Sequence, residues 1–157
     1  MPEHRRQEIV NRVWETLELL IARGVTHFYA GGANGFDLWF SCTVLSLKKM
    51  YSHITLSILL PNKDYTGHWS SEDRMAASYV LSHADEVETV PSFGKEPALA
   101  RNDALIARGS TCVAYLRDNL PTRRGGTAYT VRHASRVGCQ IYMIAKIGDY
   151  TTERNRL

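Results

Sequence analysis

The chain has 157 residues, of which 44% are hydrophobic and 22% charged; these are globular proportions, and the length suits one domain burying about 70% of the surface its unfolded chain exposes. They exclude a multidomain machine, a disordered tail and a collagen-like repeat, and three cysteines are too few for a disulfide-stapled miniprotein. Nineteen basic against sixteen acidic side chains leave a net charge of +3, which permits phosphate-bearing small molecules without the strong basic field of duplex-binding proteins.

Apolar positions Ile9, Val13, Leu17, Leu20 and Ile21 recur every three or four residues and Gly24 follows, so the pattern predicts a helix over Glu8–Ile21 with one buried face. Val25–Ala30 is short, β-branched and aromatic and runs into Gly31-Gly32-Ala33-Asn34-Gly35, a strand stopped by a loop. A helix is expected from Phe36 to about Met50. Ile54–Leu60 is almost continuously apolar and ends at Pro61, the pattern of a parallel strand covered on both faces. The polar and aromatic stretch from Asn62 to Ser71 reads as a functional loop leading into a helix over Glu72–Ser82, with Ser70 or Ser71 as its cap. Then come a strand at Glu86–Val90, a helix at Pro97–Arg108, a strand at Thr111–Leu116, a helix at Thr127–Val137 closed by Gly138, and a strand at Gln140–Ala145. The tail from Lys146 is polar. No linker or repeat marks a boundary, so residues 1–157 are expected to form a single domain, with 146–157 as its tail.

Cys42, Cys112 and Cys139 lie in apolar runs without cysteine or histidine at ligand spacing, which predicts buried reduced thiols, no metal, and a reducing, cytoplasmic setting. No apolar run approaches the roughly 20 residues of a membrane helix, and the opening MPEHRR gives no sign of export. His27, His53, His83 and His133 are isolated, so neither a nucleophilic triad nor a zinc site is indicated.

Alternating helices and strands with short connections predict an α/β Rossmann-like three-layer sandwich with a mostly parallel sheet. In such a sheet ligands bind beyond the carboxyl ends of the strands, where the first amides of each helix lack partners and attract anions. Two glycine clusters open helices there: Gly31-Gly32-Ala33-Asn34-Gly35-Phe36-Asp37, and Arg123-Arg124-Gly125-Gly126-Thr127. Glycine lets the main chain approach a phosphate closely; the plain alternative for each cluster is a tight strand-to-helix turn. Neither matches a P-loop or the Gly-x-Gly-x-x-Gly dinucleotide pattern. Asp37 suits either a helix-end role or a ribose hydroxyl, Arg101 and Asn102 suit polar recognition, and Tyr65, Trp69 and Tyr129 suit either stacking on a base or packing.

The set Gly31-Gly32-Ala33-x-Gly35-x-Asp37, Trp69, Arg74, Arg101-Asn102 and Gly125-Gly126-Thr127-Ala128-Tyr129-Thr130-Val131 resembles the YpsA-like branch of the SLOG superfamily, which joins the SMF/DprA proteins to the Lonely Guy enzymes. The similarity covers roughly residues 8 to 145. It implies a nucleotide-type ligand held by glycine loops at the sheet edge selected above. Lonely Guy enzymes hydrolyse the N-glycosidic bond of nucleoside monophosphates with a glutamate soon after their Gly-Thr; here Ala128, Tyr129 and Thr130 follow, and no glutamate occurs between Glu96 and Glu153. DprA-like members bind single-stranded DNA, the alternative from another class. YpsA-like proteins also begin with a strand ending in a Thr-Gly-His-Arg-Pro-type loop, absent here. The sheet must therefore close over the gap, borrow a strand from a partner, or have lost it through a shortened start.

Together these readings lead us to expect a protein that senses or sequesters a nucleotide or ADP-ribose-like molecule and needs no cofactor. Gly31, Gly32, Gly35, Gly125, Gly126 and Thr127 would form the phosphate cradle, with Ala33 and Asn34 also in the nucleotide-binding set, Asp37 a ribose contact, Arg101 and Asn102 polar recognition, and Tyr129 or Trp69 a base platform. If the protein is an enzyme, N-glycosidic hydrolysis is the expected reaction. Lost sheet edges and exposed helices favour a homo-oligomer.

Overall fold

A computed structural model describes residues 3–115, 126–144 and 153–155. The amphipathic repeat at the start of the chain becomes α1 (Glu3–Ala22), which buries Ile9, Val13, Leu17, Leu20 and Ile21 as their spacing predicts. Gly24, at φ +96°, then turns the chain through a conformation open chiefly to glycine. There follow β1 (His27–Ala30), α2 (Phe36–Lys48), β2 (Thr55–Leu60), α3 (Ser71–His83), β3 (Glu86–Thr89), α4 (Pro97–Arg108), β4 (Thr111–Tyr115), α5 (Gly126–Arg136), β5 (Gln140–Ile144) and β6 (Glu153–Asn155). The Ser70 hydroxyl caps α3 by accepting from the Asp73 amide at 3.2 Å, and Glu96 caps α4 through the amides of Ala98 and Leu99. The short polar strand β6 lies in the segment read as tail, because three residues of Glu-Arg-Asn carry no strand signal.

The strands form two three-membered ladders. In one, β1, β2 and β3 run parallel in that order; in the other, β4 and β5 are parallel and β6 joins antiparallel. Side chains of β5 alternate between the faces. Tyr142 and Ile144 enter the main core with α1, α2 and the first ladder, while Ile141 and Met143 enter a second core with Ala114, Ile106 of α4 and Ala128, Val131 and Ala134 of α5. Helices thus cover both faces, giving the mostly parallel α/β architecture expected. α1 reaches across to β5, where Arg23 donates to the Tyr142 hydroxyl at 2.7 Å. On the other face α4 packs against β1 and β2 as well as α5. The two ladders are tied together by these helices.

Among the described residues no ladder joins β1 to β4. Their free edges flank a cleft of about 900 Å³, lined by consecutive residues of both strands. Among the described residues the sheet does not close over the gap between β1 and β4.

The Asp85 carboxylate, just before β3, accepts from the Leu56 amide at 2.8 Å and pairs with Lys48. The Lys48 hydrogen bond, reinforced by that amide, holds it below the usual carboxylate range against the opposing effect of burial. Because the folded-state value lies below the unfolded one, this contribution is present above about pH 4 and is lost as pH falls through the depressed value. Asp85→Asn is accordingly expected to flatten the acid side of the stability curve, read as urea midpoints through the acid range. An unchanged acid slope would show that Asp85 contributes nothing.

Candidate functional site

The loop after β1 is shaped by glycine where side chains have no room. Gly31 is buried against Arg101: a Cβ there would stand 2.6 Å from Nη1 and 2.7 Å from Cζ. Gly32, at φ +74°, and Gly35, at φ +79°, turn the chain into α2. Arg101 comes from the second turn of α4 and is itself buried, 7% exposed. Its guanidinium donates to the Gly31 carbonyl and, through Nε at 2.7 Å, to Asn102 Oδ1. Burial lowers the Arg101 pKa and the nearby Asp37 and Glu96 charges oppose that; an arginine still remains charged throughout the physiological range.

Asp37, in the first turn of α2, is not the cap of its helix: Gly35 occupies that position without a side-chain bond. Its carboxylate instead reaches back to accept from the Ala33 amide at 3.2 Å. Burial pushes its pKa up, opposed by Arg101 and the Ala33 N–H. The loop is therefore pinned at its middle by Asp37 and at its start by Arg101, leaving one cationic and one anionic group beside a bend of main-chain amides.

Of the residues singled out from the sequence, Gly31, Ala33, Asn34, Asp37, Arg101, Asn102 and Thr127 line the same cleft. Gly32 and Gly35 shape the loop without lining it, and Gly32 packs towards Leu60 and Tyr65 instead. Gly126 begins α5. Gly125, with Arg123 and Arg124, falls outside the described residues.

The aromatic candidates lie elsewhere. Trp69 packs edge-on against Tyr65 at 5.3 Å between centroids, on the margin of the main core. The Tyr65 hydroxyl is buried beside Gly32 without a hydrogen-bond partner among the described residues. Tyr129 is engaged in a polar cluster: its hydroxyl donates to Asp103 at 3.0 Å and accepts from Lys95 at 3.1 Å. Its ring also lies over His133. Asp103, paired with Lys95, is pushed up by burial but drawn below the ordinary range by the Lys95 and Tyr129 hydrogen bonds. Two aromatics passed over in the sequence do line the cleft: Phe36 and Tyr115 stack at 6.0 Å and 25° where the carboxyl ends of β1 and β4 face each other. Their signal was positional, one following the glycine loop and one closing a strand.

The three cysteines are unpaired and half-buried. Burial, and to a lesser degree Cys139, pushes the Cys112 thiol to about 11, and burial also raises Cys42 and Cys139. All three are therefore poor thiolates at neutral pH. Among the described residues no three His, Cys, Asp or Glu side chains gather as metal ligands, and no helix is long and apolar enough to cross a membrane.

The model of the YspA SLOG family matches residues 3–146. The chain belongs to that family. The chain is also similar to two UPF0398 proteins, from Enterococcus faecalis (30% identical over 82 residues, 52% of this chain and 46% of that one) and Brevibacillus brevis (28% over 85 residues, 54% and 41%). The matched stretches thus span under half the length of either relative. SLOG membership points to a nucleotide-related function.

Proposed function

We propose that this SLOG domain binds a nucleotide or an ADP-ribose-like derivative at the rim of the cleft and senses or sequesters it without turnover. The observation that carries the reading is the meeting of two distant segments: Gly31, Ala33 and Asn34 after β1, and Thr127 in the first turn of α5, line one cleft with Arg101. Amides at a helix start and a glycine turn suit phosphate oxygens, and Arg101 adds a fixed positive charge. Asp37 suits a ribose hydroxyl, and the Phe36–Tyr115 pair supplies a flat apolar surface for a base. Gly32 and Gly35 act as loop formers, and Gly126 opens α5 ahead of Thr127.

Binding rather than hydrolysis is favoured by the acid inventory. Asp37 is the one carboxylate among the described residues lining the cleft, whereas glycoside cleavage generally employs a pair of carboxyl groups. Among the described residues lining the cleft the Phe36–Tyr115 pair is a single stacking platform, whereas single-stranded DNA is generally held by several along a basic groove.

A thermal-shift titration with AMP, ADP-ribose, NAD and a short oligonucleotide tests this. A ligand at 100 times its Kd stabilises the native state by about 2.7 kcal/mol, a rise of roughly 5–10 °C for a domain of this size. Asp37→Asn is expected to abolish that rise, with a change in unliganded stability smaller than the rise itself, because the burial cost of the carboxylate is relieved while buried Arg101 loses its opposing charge. Release of free base from AMP would replace the proposal with the phosphoribohydrolase reading. A shift with oligonucleotide alone, lost in salt, would replace it with the DNA-binding one.

A further inference from the structure

The loop from β3 to α4 holds the one residue other than glycine that takes a positive φ among the described residues: Phe93, at +48°. Gly94 follows at +82°, and the Lys95 amide donates back to the Ser92 carbonyl at 3.0 Å. Two positive φ values inside a closed four-residue turn are the mark of type I′, whose central positions are dominated by Gly, Asn and Asp. A phenylalanine at the first of them is strained, because its Cβ crowds the neighbouring main chain. Packing does not offset that strain: Phe93 is 93% exposed, more than any other large apolar side chain described.

The base of the turn is fixed on both sides. Before it, Val90 is buried and its amide donates to the Leu60 carbonyl at 2.9 Å. After it, the Lys95 ammonium donates to the Asp103 carboxylate of α4 and, at 3.1 Å, to the Tyr129 hydroxyl of α5. Glu96 then caps α4. A strained tip on an anchored base thus holds an aromatic ring out in water. Residues kept in sparsely populated backbone regions cluster where ligands are clamped.

Position sets which ligand the ring can meet. The turn leaves the carboxyl end of β3, on the same margin of the parallel ladder as the glycine loop after β1. A few residues on, Ala98 and Arg101 of α4 line the cleft, and Tyr129, which Lys95 holds, shares the first turn of α5 with the cleft residue Thr127. Phe93 itself is not a lining residue. It can therefore meet only what stands out of the mouth, and the part of a nucleotide that offers a phenyl ring a flat face is its base.

We infer that Phe93 covers the outward face of the base of a nucleotide whose phosphate lies at the glycine loop, with the Phe36–Tyr115 pair supporting the other face. Such a role rests on the nucleotide reading above and adds to it a residue that selects for the base. The conformation that is unfavourable for the turn is the one that leaves the ring free to stack.

The test compares the whole chain with Phe93→Asn and Phe93→Tyr, each titrated calorimetrically with AMP, ADP-ribose and NAD, which all carry adenine. Asn-Gly is a preferred type I′ pair, so Phe93→Asn is expected to raise the melting temperature by about 2–4 °C. It should nevertheless weaken adenine nucleotide binding by about tenfold or more, the loss expected of one aromatic–base stack. Phe93→Tyr keeps the ring and should bind within about threefold of the native chain. Equal binding by Phe93→Asn and the native chain would overturn the role of Phe93 and leave nucleotide binding standing. Binding by Phe93→Tyr as weak as by Phe93→Asn would overturn it too, since the ring would not be the determinant. A fall in melting temperature in Phe93→Asn would overturn it by showing that the turn does not strain the phenylalanine. If the native chain binds none of the three nucleotides, the nucleotide reading itself fails and the role of Phe93 goes with it.

Discussion

Replacing Arg101 with methionine is expected to lower the unfolding free energy by about 3 kcal/mol. The methionine keeps much of the buried stem but none of the donors. It strips the Gly31 carbonyl and Asn102 Oδ1 of the hydrogen bonds they accept, and it removes the cation that offsets the burial of Asp37. A buried acceptor without a partner costs about 1–3 kcal/mol and a buried charge more, whereas loss of an exposed arginine would register below about 0.5 kcal/mol. The measurement is a urea midpoint shift at constant slope. A loss under 1 kcal/mol would mean that the arginine is dispensable to the loop. Asp37→Asn in the same chain should restore part of the deficit, since it removes the stranded charge, and the double-mutant cycle isolates that coupling. Nucleotide-induced stabilisation should disappear in Arg101→Met and stay absent in the double variant.

Gly32→Val is expected to cost about 3 kcal/mol, from two sources that the neighbouring glycine separates. Gly32 sits at φ +74°, where a β-branched residue is strained by about 1–3 kcal/mol. It is also enclosed: a Cβ would stand 2.9 Å from Leu60 Cδ2 and 3.3 Å from Ile58 Cγ2, side chains of the central strand. Overpacking of this kind adds a further 1–3 kcal/mol. Gly35 has φ +79° but nothing within 4 Å of its absent Cβ. Gly35→Ala should therefore show backbone strain alone, about 1 kcal/mol. Equal costs at the two positions, read from thermal or urea denaturation, would show that the Gly32 site is not enclosed as described.

Much of this was legible before any coordinates. Nearly every helix and strand was placed within a few residues because each carries its own period: α1 by its apolar stripe, β2 by a nearly continuous apolar run between a turn and Pro61. The first glycine loop was legible because Gly31-Gly32-Ala33-Asn34-Gly35 interrupts a strand-to-helix junction where little else fits. The strand β6 was not, since Glu-Arg-Asn at a sheet margin has no period to read. Phe36 and Tyr115 escaped notice because an aromatic in a strand or helix looks alike whether it packs or lines a cleft. Tyr129 shows the converse: its place after Gly-Thr suggested a base platform, yet its hydroxyl bridges Lys95 and Asp103.

By itself the sequence determined the alternation of helices and strands, the parallel character of the sheet, and which loop lacks side chains, because periodicity and glycine content are local properties of the chain. Only the tertiary structure decided that Arg101 lies against Gly31, that Asp37 folds back on Ala33, and that β1 and β4 stand apart with their edges turned to one cleft. Those outcomes depend on which distant segments share a neighbourhood. The packing of α1 across to β5 and of α4 across to β1 sets that neighbourhood, and no short stretch of residues encodes it.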